Sequence, residues 1–552
     1  MSEGEGSNGG ALPVPPNFPV TWEDEKEAAM LWRWDDIHSP LPSSPMSVSV
    51  GDSQRPASAP AAPRQPEQRF RRKINGYSYS ATVQEPQTPE QEQAQRIATE
   101  EMVSKTRHRW DSEFLPLLKR NLEYMRNVDL ASATGAELAK HLDEFLEINA
   151  KHWHIHGQVV FPLTRAVESM ATLYREIMGT VPDEEPYMLL QGMDNKSLET
   201  DRALQALAEE ARARPDVARV LAEESAAGAS LDALAGVRQG PEFLEKLEEF
   251  LTVYGLRPTG FDYVFPSWTE DPSFVVLNIK SYLKSPPRDL ARETADLAGE
   301  SGRMLLRVTE KLEADEPARE AFLQAYQLAR ELWPLKEDHS FYIDQGTAAM
   351  VRILIAEMGR RLAEDATLES SDGVFYLTLD ELKVATKGTP PAGLAQTAAA
   401  RREERQRFMG VIPPPFLGTM PPEGADGSAS GFQRMHGPAS PRPDDGATVL
   451  RGVPGSRGKA TGIARVVRSP EEFGKVGPGD VLVCTSTSPT WTPLFGSVSA
   501  LVSDSGGVLS HTAIVAREYR LPAVVGVKYG TSMISDGQVV TVDGDAGVVH
   551  LR

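Results

Sequence analysis

Cysteine is almost absent. Cys484 stands alone among 552 residues, so no internal disulfide can form; a reducing compartment fits and a secreted, disulfide-stapled scaffold does not. No run reaches the roughly 18 apolar residues that a bilayer crossing needs. The opening MSEGEGSNGGALPVPPNFPV lacks the basic and apolar regions of a secretory leader. Positive charge is also short: 78 acidic residues against 58 basic ones give a net charge of -20, which repels nucleic acid and anionic membrane. With 40% apolar, 25% charged and 7% aromatic residues, the chain is neither fibrous nor wholly disordered. A soluble, cytoplasmic protein of about two to four domains is expected, with no nucleic acid and no membrane among its partners.

Two proline-rich stretches punctuate the chain. Residues 39–66 hold seven prolines and read as a loop, because proline lacks an N–H and fixes φ. Residues 409–445 hold eight prolines and six glycines and read as a linker between domains. Before them, residues 1–16 are Gly/Pro-rich and expected to be disordered. Between the breaks, apolar residues recur at three- and four-residue spacing, as in Phe114, Leu115, Leu118 and Leu122 or Leu198, Leu204 and Leu207. Residues 17–408 therefore read as a mainly helical domain, with a hairpin turning at Asn75-Gly76. From 446 the pattern changes to short β-branched runs bounded by Gly, Pro and Asp, with one helix from Ser510 to about Tyr519. Residues 446–552 carry ten basic and eight acidic residues, so this small α/β domain is less hostile to phosphate than the rest. The fold class expected is multidomain, a helical domain followed by a small α/β domain.

The segment SDSGGVLSHTAIVAREYRLPAVVG, Ser503–Gly526, carries the chemistry. Gly506 and Gly507 let the backbone approach a bulky group, and Ser510 is suited to cap the helix that His511 opens. Thr512 sits in the same first turn, where free N–H groups and the helix dipole favour an anion. A histidine placed there can attack a phosphoryl group and hold it as a phosphoramidate. Arg517, six residues on, can pair with phosphate. A phosphate-binding glycine loop at Gly455–Thr461 is excluded, because its first glycine would fall on Val453 and its lysine would be followed by Ala460.

GGVLSHTAIVARE…LPAVVG resembles the phosphohistidine signature of the phosphoenolpyruvate-utilising enzymes' swivelling domain. The resemblance extends through LRGVPGSRGKATGIARVV, SPTWTPLF and DGQVVTVDGDAGVVHL, and so over 446–552. It implies that His511 is phosphorylated at one site and swung to another. Leu509 stands where some members carry a threonine, so regulation through that threonine does not carry over. In the helical region, FLTVYGLR, FPSWTEDP, LKEDHSFY and DGVFYLTLDEL resemble the acceptor-binding domain of rifampicin phosphotransferase and similar enzymes, with 17–45 as its beginning. That resemblance implies a pocket for a hydroxylated organic acceptor.

Neither the ATP-grasp domain nor the TIM barrel that charges the histidine in such enzymes has a counterpart here. The expectation is one half of a split dikinase resembling phenylphosphate synthase, with ATP and Mg²⁺ bound on an ATP-grasp partner subunit. A small aromatic, phenolic hydroxyl is the expected acceptor; a larger antibiotic-like acceptor or a non-catalytic carrier is the alternative. Three histidines in KHWHIH set the remaining candidates. On a helix His152 and His156 share a face and His154 points away, and no metal-ligand spacing accompanies them, so no metal is assigned. His154 or His156 is the candidate base that takes the acceptor's proton. Trp22, Trp34, His152, Trp153 and His339 are candidate acceptor contacts, and Arg257 a candidate phosphate ligand.

Overall fold

The computed structural model describes residues 10–54, 67–84, 87–223, 227–286, 288–420, 443–444 and 446–552. Among them no helix is long and apolar enough to cross a membrane. The chain builds a helical body, a small sheet and an α/β body, and the last two also touch each other, where Lys528 pairs with Asp36 at 3.0 Å.

The small sheet has the order β2-β3-β1-β4, all antiparallel: β1 Leu31–Trp34, β2 Glu67–Ile74, β3 Tyr77–Gln84 and β4 Phe416–Gly418. Asn75 and Gly76 both take positive φ (51° and 84°), the geometry of the expected type I′ turn. Phe18, Trp32, Tyr77, Tyr79 and Leu417 form its core. Three expectations are corrected here. Residues 10–12 are not disordered: Ala11 bridges Thr419 and Leu12 N–H donates to the Gly418 carbonyl, while 1–9 lie outside the described residues. The expected linker begins with structure, because Phe416 and Leu417 give β4 an apolar edge that pairs with β1; residues 421–442 and 445 lie outside the described residues. Within 39–66, Pro45–Ser53 is a helix: Ser44 caps it, Pro45 occupies the first position, where a missing N–H costs nothing, and Met46 and Val50 are buried. Residues 55–66 lie outside the described residues.

The helical body is organised around one long helix, Gly135–Met178, whose Thr134 and Glu137 form a capping box. Glu316–Leu332 and Ala348–Glu364 pack along it through one large apolar core. A second cluster joins Lys196–Arg212, Gly240–Tyr254 and Ser273–Lys284, and the predicted stripe Leu198, Leu204 and Leu207 is buried there. This cluster does not end at the helices. Phe473, Trp491, Leu494 and Phe495 of the C-terminal body complete it, so an apolar cluster spans the seam between the two bodies.

The C-terminal body is an eight-stranded sheet of order β5-β12-β11-β7-β8-β9-β10-β6. Its strands are β5 Val449–Arg451, β6 Val453–Ser456, β7 Lys459–Val467, β8 Val481–Cys484, β9 Ala500–Ser503, β10 Ala523–Val525, β11 Val539–Asp543 and β12 Val548–Leu551. The middle four, β7 to β10, are parallel, and the outer pairs are antiparallel. The β-branched runs read from the sequence are β7 to β11. The strands β5, β6 and β12 are short, and glycine and proline interrupt their surroundings, which hides their period. The helix expected at Ser510 runs His511–Glu518 and leaves the carboxyl end of β9.

Candidate active site

The loop between β9 and the His511–Glu518 helix is set by two residues. Gly506 has φ +101°, and a Cβ there would lie 2.7 Å from Ser510 Oγ, so the position demands glycine. Ser510 caps the helix through its Oγ, which accepts from Ala513 N–H at 3.3 Å and donates to the Gly507 carbonyl at 2.8 Å. His511 is thus the first helical residue, held where an added negative charge is favoured.

The histidine faces the helical body. Its Nδ1 lies 3.2 Å from Glu337 Oε1, and its Nε2 is buried with no hydrogen-bond partner among the described residues. Glu337 Oε2 accepts from Ser197 Oγ at 2.6 Å. Burial alone would raise the pKa of Glu337, but the His511 ring, the Ser197 hydroxyl and Lys336 outweigh it and hold the carboxyl at about 2. A carboxylate accepts only, so Nδ1 carries the hydrogen and the Nε2 lone pair is free. Lys336 and Glu337 line a small cleft beside Ser197 and Glu518, which His511 itself does not line. Burial lowers the pKa of Lys336, while Glu337 and Asp344 oppose that shift. Arg257 is buried at the seam, its guanidinium 4.9 Å over Trp268, with Nη2 donating to the Pro489 carbonyl at 2.9 Å and Nε without a partner. Burial lowers its pKa to about 10. Nearby Glu270 pairs with Arg352.

A second group of side chains lies two residues along from Glu337. His156 Nδ1 is 2.9 Å from Asp344 Oδ1, His339 Nε2 is 3.6 Å from Asp344 Oδ2, and the two rings meet edge to face at 4.8 Å. Burial lowers the pKa of His339 to about 4. Burial would raise that of Asp344, but His156 and His339 hold it below the ordinary carboxylate range. Local structure explains the meeting. Ser340–Thr347 is a π-helical segment between two α-helical ones. Residues five apart, such as His339 and Asp344, are turned about 140° from each other on an α-helix, and the wider π turn brings them together.

The other sequence-derived candidates divide. On the long helix His152 is buried, with Nδ1 2.7 Å from Thr347 Oγ1 and Nε2 3.0 Å from Asn121 Nδ2, and burial lowers its pKa to about 4. It ties two helices together and is not an acceptor contact. His154 is exposed on the opposite face, which removes it as a base. His156 is partly exposed, with Trp153 packed 4.8 Å from its ring. Trp22 and Trp34 belong to the small sheet: Trp22 stacks on Trp32, and Trp34 Nε1 donates to the Ser39 carbonyl, so neither joins the histidine group. Arg517 is buried and spends both guanidinium ends on the Gly455 and Val508 carbonyls, at 2.9 and 2.7 Å, so it holds the loop rather than a phosphate. Thr512 Oγ1 is tied to Thr487 Oγ1 at 2.8 Å. Glu337, Lys336 and Asp344 were not among the sequence-derived candidates.

A cavity of about 170 Å³ opens at the seam between His38, Thr259, Phe261, Phe265, Ser488 and Trp491. His511 does not line it. A smaller cleft, shared through Phe261, Asp262 and Phe265, connects that region to Asp344. The acidic side chain of Asp344 also acts on His38, in the wall of the larger cavity.

Comparison with known proteins gives matches to both bodies. Residues 158–337 match the fourth domain of rifampicin phosphotransferase, and residues 476–547 match the mobile domain of PEP-utilising enzymes. The chain is 34% identical to chondramide synthase cmdD of Chondromyces crocatus over 98% of its own length and 14% of that protein. It is 30% identical to the uncharacterized phosphotransferase YvkC of Bacillus subtilis, over 78% of this chain and 51% of the relative. It is also 30% identical to rifampicin phosphotransferase of Streptomyces sviceus, over 66% of this chain and 41% of the relative. The chain therefore spans about half the length, or less, of these curated relatives.

Proposed function

Because this chain is a phosphoenolpyruvate-utilising enzyme family member resembling rifampicin phosphotransferase, we propose that His511 Nε2 carries a phosphoryl group and yields it to an acceptor hydroxyl at the seam. The observation that carries this reading is the state of the ring: one nitrogen is held by a carboxylate of the helical body, and the other is buried and unpartnered.

In the transfer the acceptor oxygen attacks phosphorus in line with the P–N bond. The O–P bond forms, the P–N bond breaks, and its electron pair returns to Nε2. Glu337 keeps the hydrogen on Nδ1, so the departing ring is neutral imidazole rather than imidazolate. Lys336 and Arg257 supply positive charge to the phosphoryl oxygens, and the unused Nε of Arg257 gives it a donor to spare. The acceptor's proton leaves towards the group formed by His156, His339 and Asp344. Ser510, Gly506 and Gly507 shape the loop that the phosphoryl group enters.

The acceptor is a small aromatic hydroxyl such as a phenol. A cavity of about 170 Å³ suits one ring, since cavities of about 150 Å³ accept benzene, whereas drug-sized ligands need about 300–1,000 Å³. His511 is charged by a dikinase reaction, ATP with Mg²⁺ giving AMP and phosphate, on an ATP-grasp part. That part is a separate partner subunit or a further segment of the same polypeptide. A second reading, transfer to a hydroxyl on a larger natural product, is favoured by the identity with chondramide synthase across almost the whole chain.

Intact mass of the chain after ATP, Mg²⁺ and a candidate ATP-grasp protein tests the carrier role. An acid-labile phosphoryl adduct that the His511→Ala variant lacks supports it, and an adduct unchanged in that variant rejects it. Phenol and rifampicin, offered separately to the charged protein, distinguish the two acceptor readings.

A further inference from the structure

We infer that His156, His339 and Asp344 form a binding site for a first-row divalent cation such as Zn²⁺, held by two imidazole nitrogens and one carboxylate with a coordination position left open. Their three ligand atoms lie within 4.8 Å of one another. With the ion bound, these three side chains no longer take the acceptor's proton; the open position would instead hold the acceptor oxygen and ease loss of its proton to water, a use that rests on the function proposed above. The site itself does not.

His339 Nδ1 is 2.6 Å from the Leu335 carbonyl oxygen, which can only accept. Nδ1 therefore carries the hydrogen, and the lone pair of Nε2 points at Asp344 Oδ2, 3.6 Å away. At 3.6 Å the two atoms make no hydrogen bond with each other. A metal ion between them would bind both, and a backbone carbonyl on the far nitrogen is the usual device for orienting a ligating imidazole.

The spacing agrees. Edges of a tetrahedron with bonds of 2.0–2.1 Å measure about 3.3 Å. The observed 2.9 Å from His156 to Asp344 and 3.6 Å from His339 to Asp344 bracket that value. Small side-chain rotations draw the imidazoles together. Two nitrogens and one oxygen suit zinc and its neighbours, whereas magnesium and calcium prefer oxygen alone. The π-helical segment that creates the site is a costly irregularity in an otherwise regular helix, and such segments are frequent at functional sites. The open side is given by His156, whose side chain is 26% exposed, and by the cleft along Asp344, Phe261 and Arg352.

The test uses the full chain, stripped with chelator and titrated with Zn²⁺ or Co²⁺ without ATP or acceptor. One equivalent of Zn²⁺ by mass spectrometry and the visible absorption of low-symmetry Co²⁺ are expected. His156→Gln, on a partly exposed helix face, and Asp344→Asn should weaken binding about 100-fold or more. His154→Gln, exposed on the same helix, and His511→Ala should bind as the parent does. Binding no stronger than in Asp344→Asn, or Co²⁺ spectra unaffected by His156→Gln and Asp344→Asn, overturns the inference. Phosphorylation of His511 in a chain that binds no Zn²⁺ would remove the metal and leave the carrier reading intact.

Discussion

Glu337→Gln isolates the charge at the phosphocarrier. Glutamine keeps an oxygen for the Nδ1 hydrogen of His511 but not the negative charge, so the ring loses the carboxylate 3.2 Å away. Hydrogen bonds to charged groups contribute about 1.5–3 kcal/mol. This one is longer than the 2.7–2.9 Å of the strongest charge-assisted pairs, so about 1.5–2 kcal/mol is the appropriate range. The carboxylate acts by keeping the hydrogen on Nδ1 of the phosphorylated ring, so that neutral imidazole and not imidazolate leaves. Converted to rate, transfer should slow about 10–30-fold. The assay loads His511 with phosphoramidate, removes excess reagent, and follows loss of the acid-labile adduct with phenol as acceptor. Loading should change by less than about threefold, since a small reagent reaches the ring while the bodies are apart. Equal transfer rates for the variant and the parent would refute the assignment of Glu337, and a faster variant would reverse its sign.

Three further outcomes follow from the same geometry. Gly506→Ala places a methyl group 2.7 Å from Ser510 Oγ in a backbone region closed to other residues, so the phosphocarrier loop should lose about 1–3 kcal/mol. Calorimetry and the phosphoramidate loading rate read that loss. Arg517→Met leaves the Gly455 and Val508 carbonyls without their donor and should destabilise the C-terminal body by about 2–4 kcal/mol, measured by hydrogen exchange in β6 and residues 505–519. Glu518 sits at the seam, accepting from Gly192 N–H at 3.1 Å, and burial raises its pKa to about 7. The docked form binds its proton more tightly than the free form, so docking is fully favoured below about pH 4.3 and weakens as pH rises towards 7. Glu518→Gln should abolish that share of the pH dependence in small-angle scattering; an unchanged profile would remove Glu518 from the seam.

How much of this was legible depends on whether the chemistry is local in sequence. His511, its Ser510 cap and the Gly506 turn occupy six consecutive positions, so their spacing can be read directly. The split of KHWHIH followed from helical geometry alone, with His152 and His156 on the inner face and His154 outside. Glu337 lies in Glu337-Asp338-His339, which reads in the sequence as a solvated charge cluster. Only packing reveals that Glu337 is 5% exposed and bonded across 174 positions to His511. Asp344 was hidden for another reason: a period of 3.6 places it away from His339, and the π-helical segment that reverses this has no sequence signature. The tryptophans Trp22 and Trp34 misled because aromatic content suggests a binding pocket and a small sheet's core equally well.

The seam also holds a buried acid. Asp201 of the helical body is fully buried between the hydroxyls of Tyr282, from the same body, and Tyr519, which follows the His511 helix. Burial raises its pKa, against the two phenols that stabilise its charge. A buried carboxylate is tolerable only while both hydroxyls remain in place, so withdrawal of Tyr519 has to be matched by entry of water. Around it the Phe473–Phe274 and Trp491–Thr259 contacts add apolar and hydrogen-bonded closure, while Arg457 and Arg520 make ion pairs with Glu184 and Glu300 at the rim. The rim pairs are weak and salt-sensitive, and the Asp201 pair is all-or-none. That combination favours two discrete positions over gradual loosening, which is what a carrier needs if His511 is to be either shielded beside Glu337 or fully accessible to its donor.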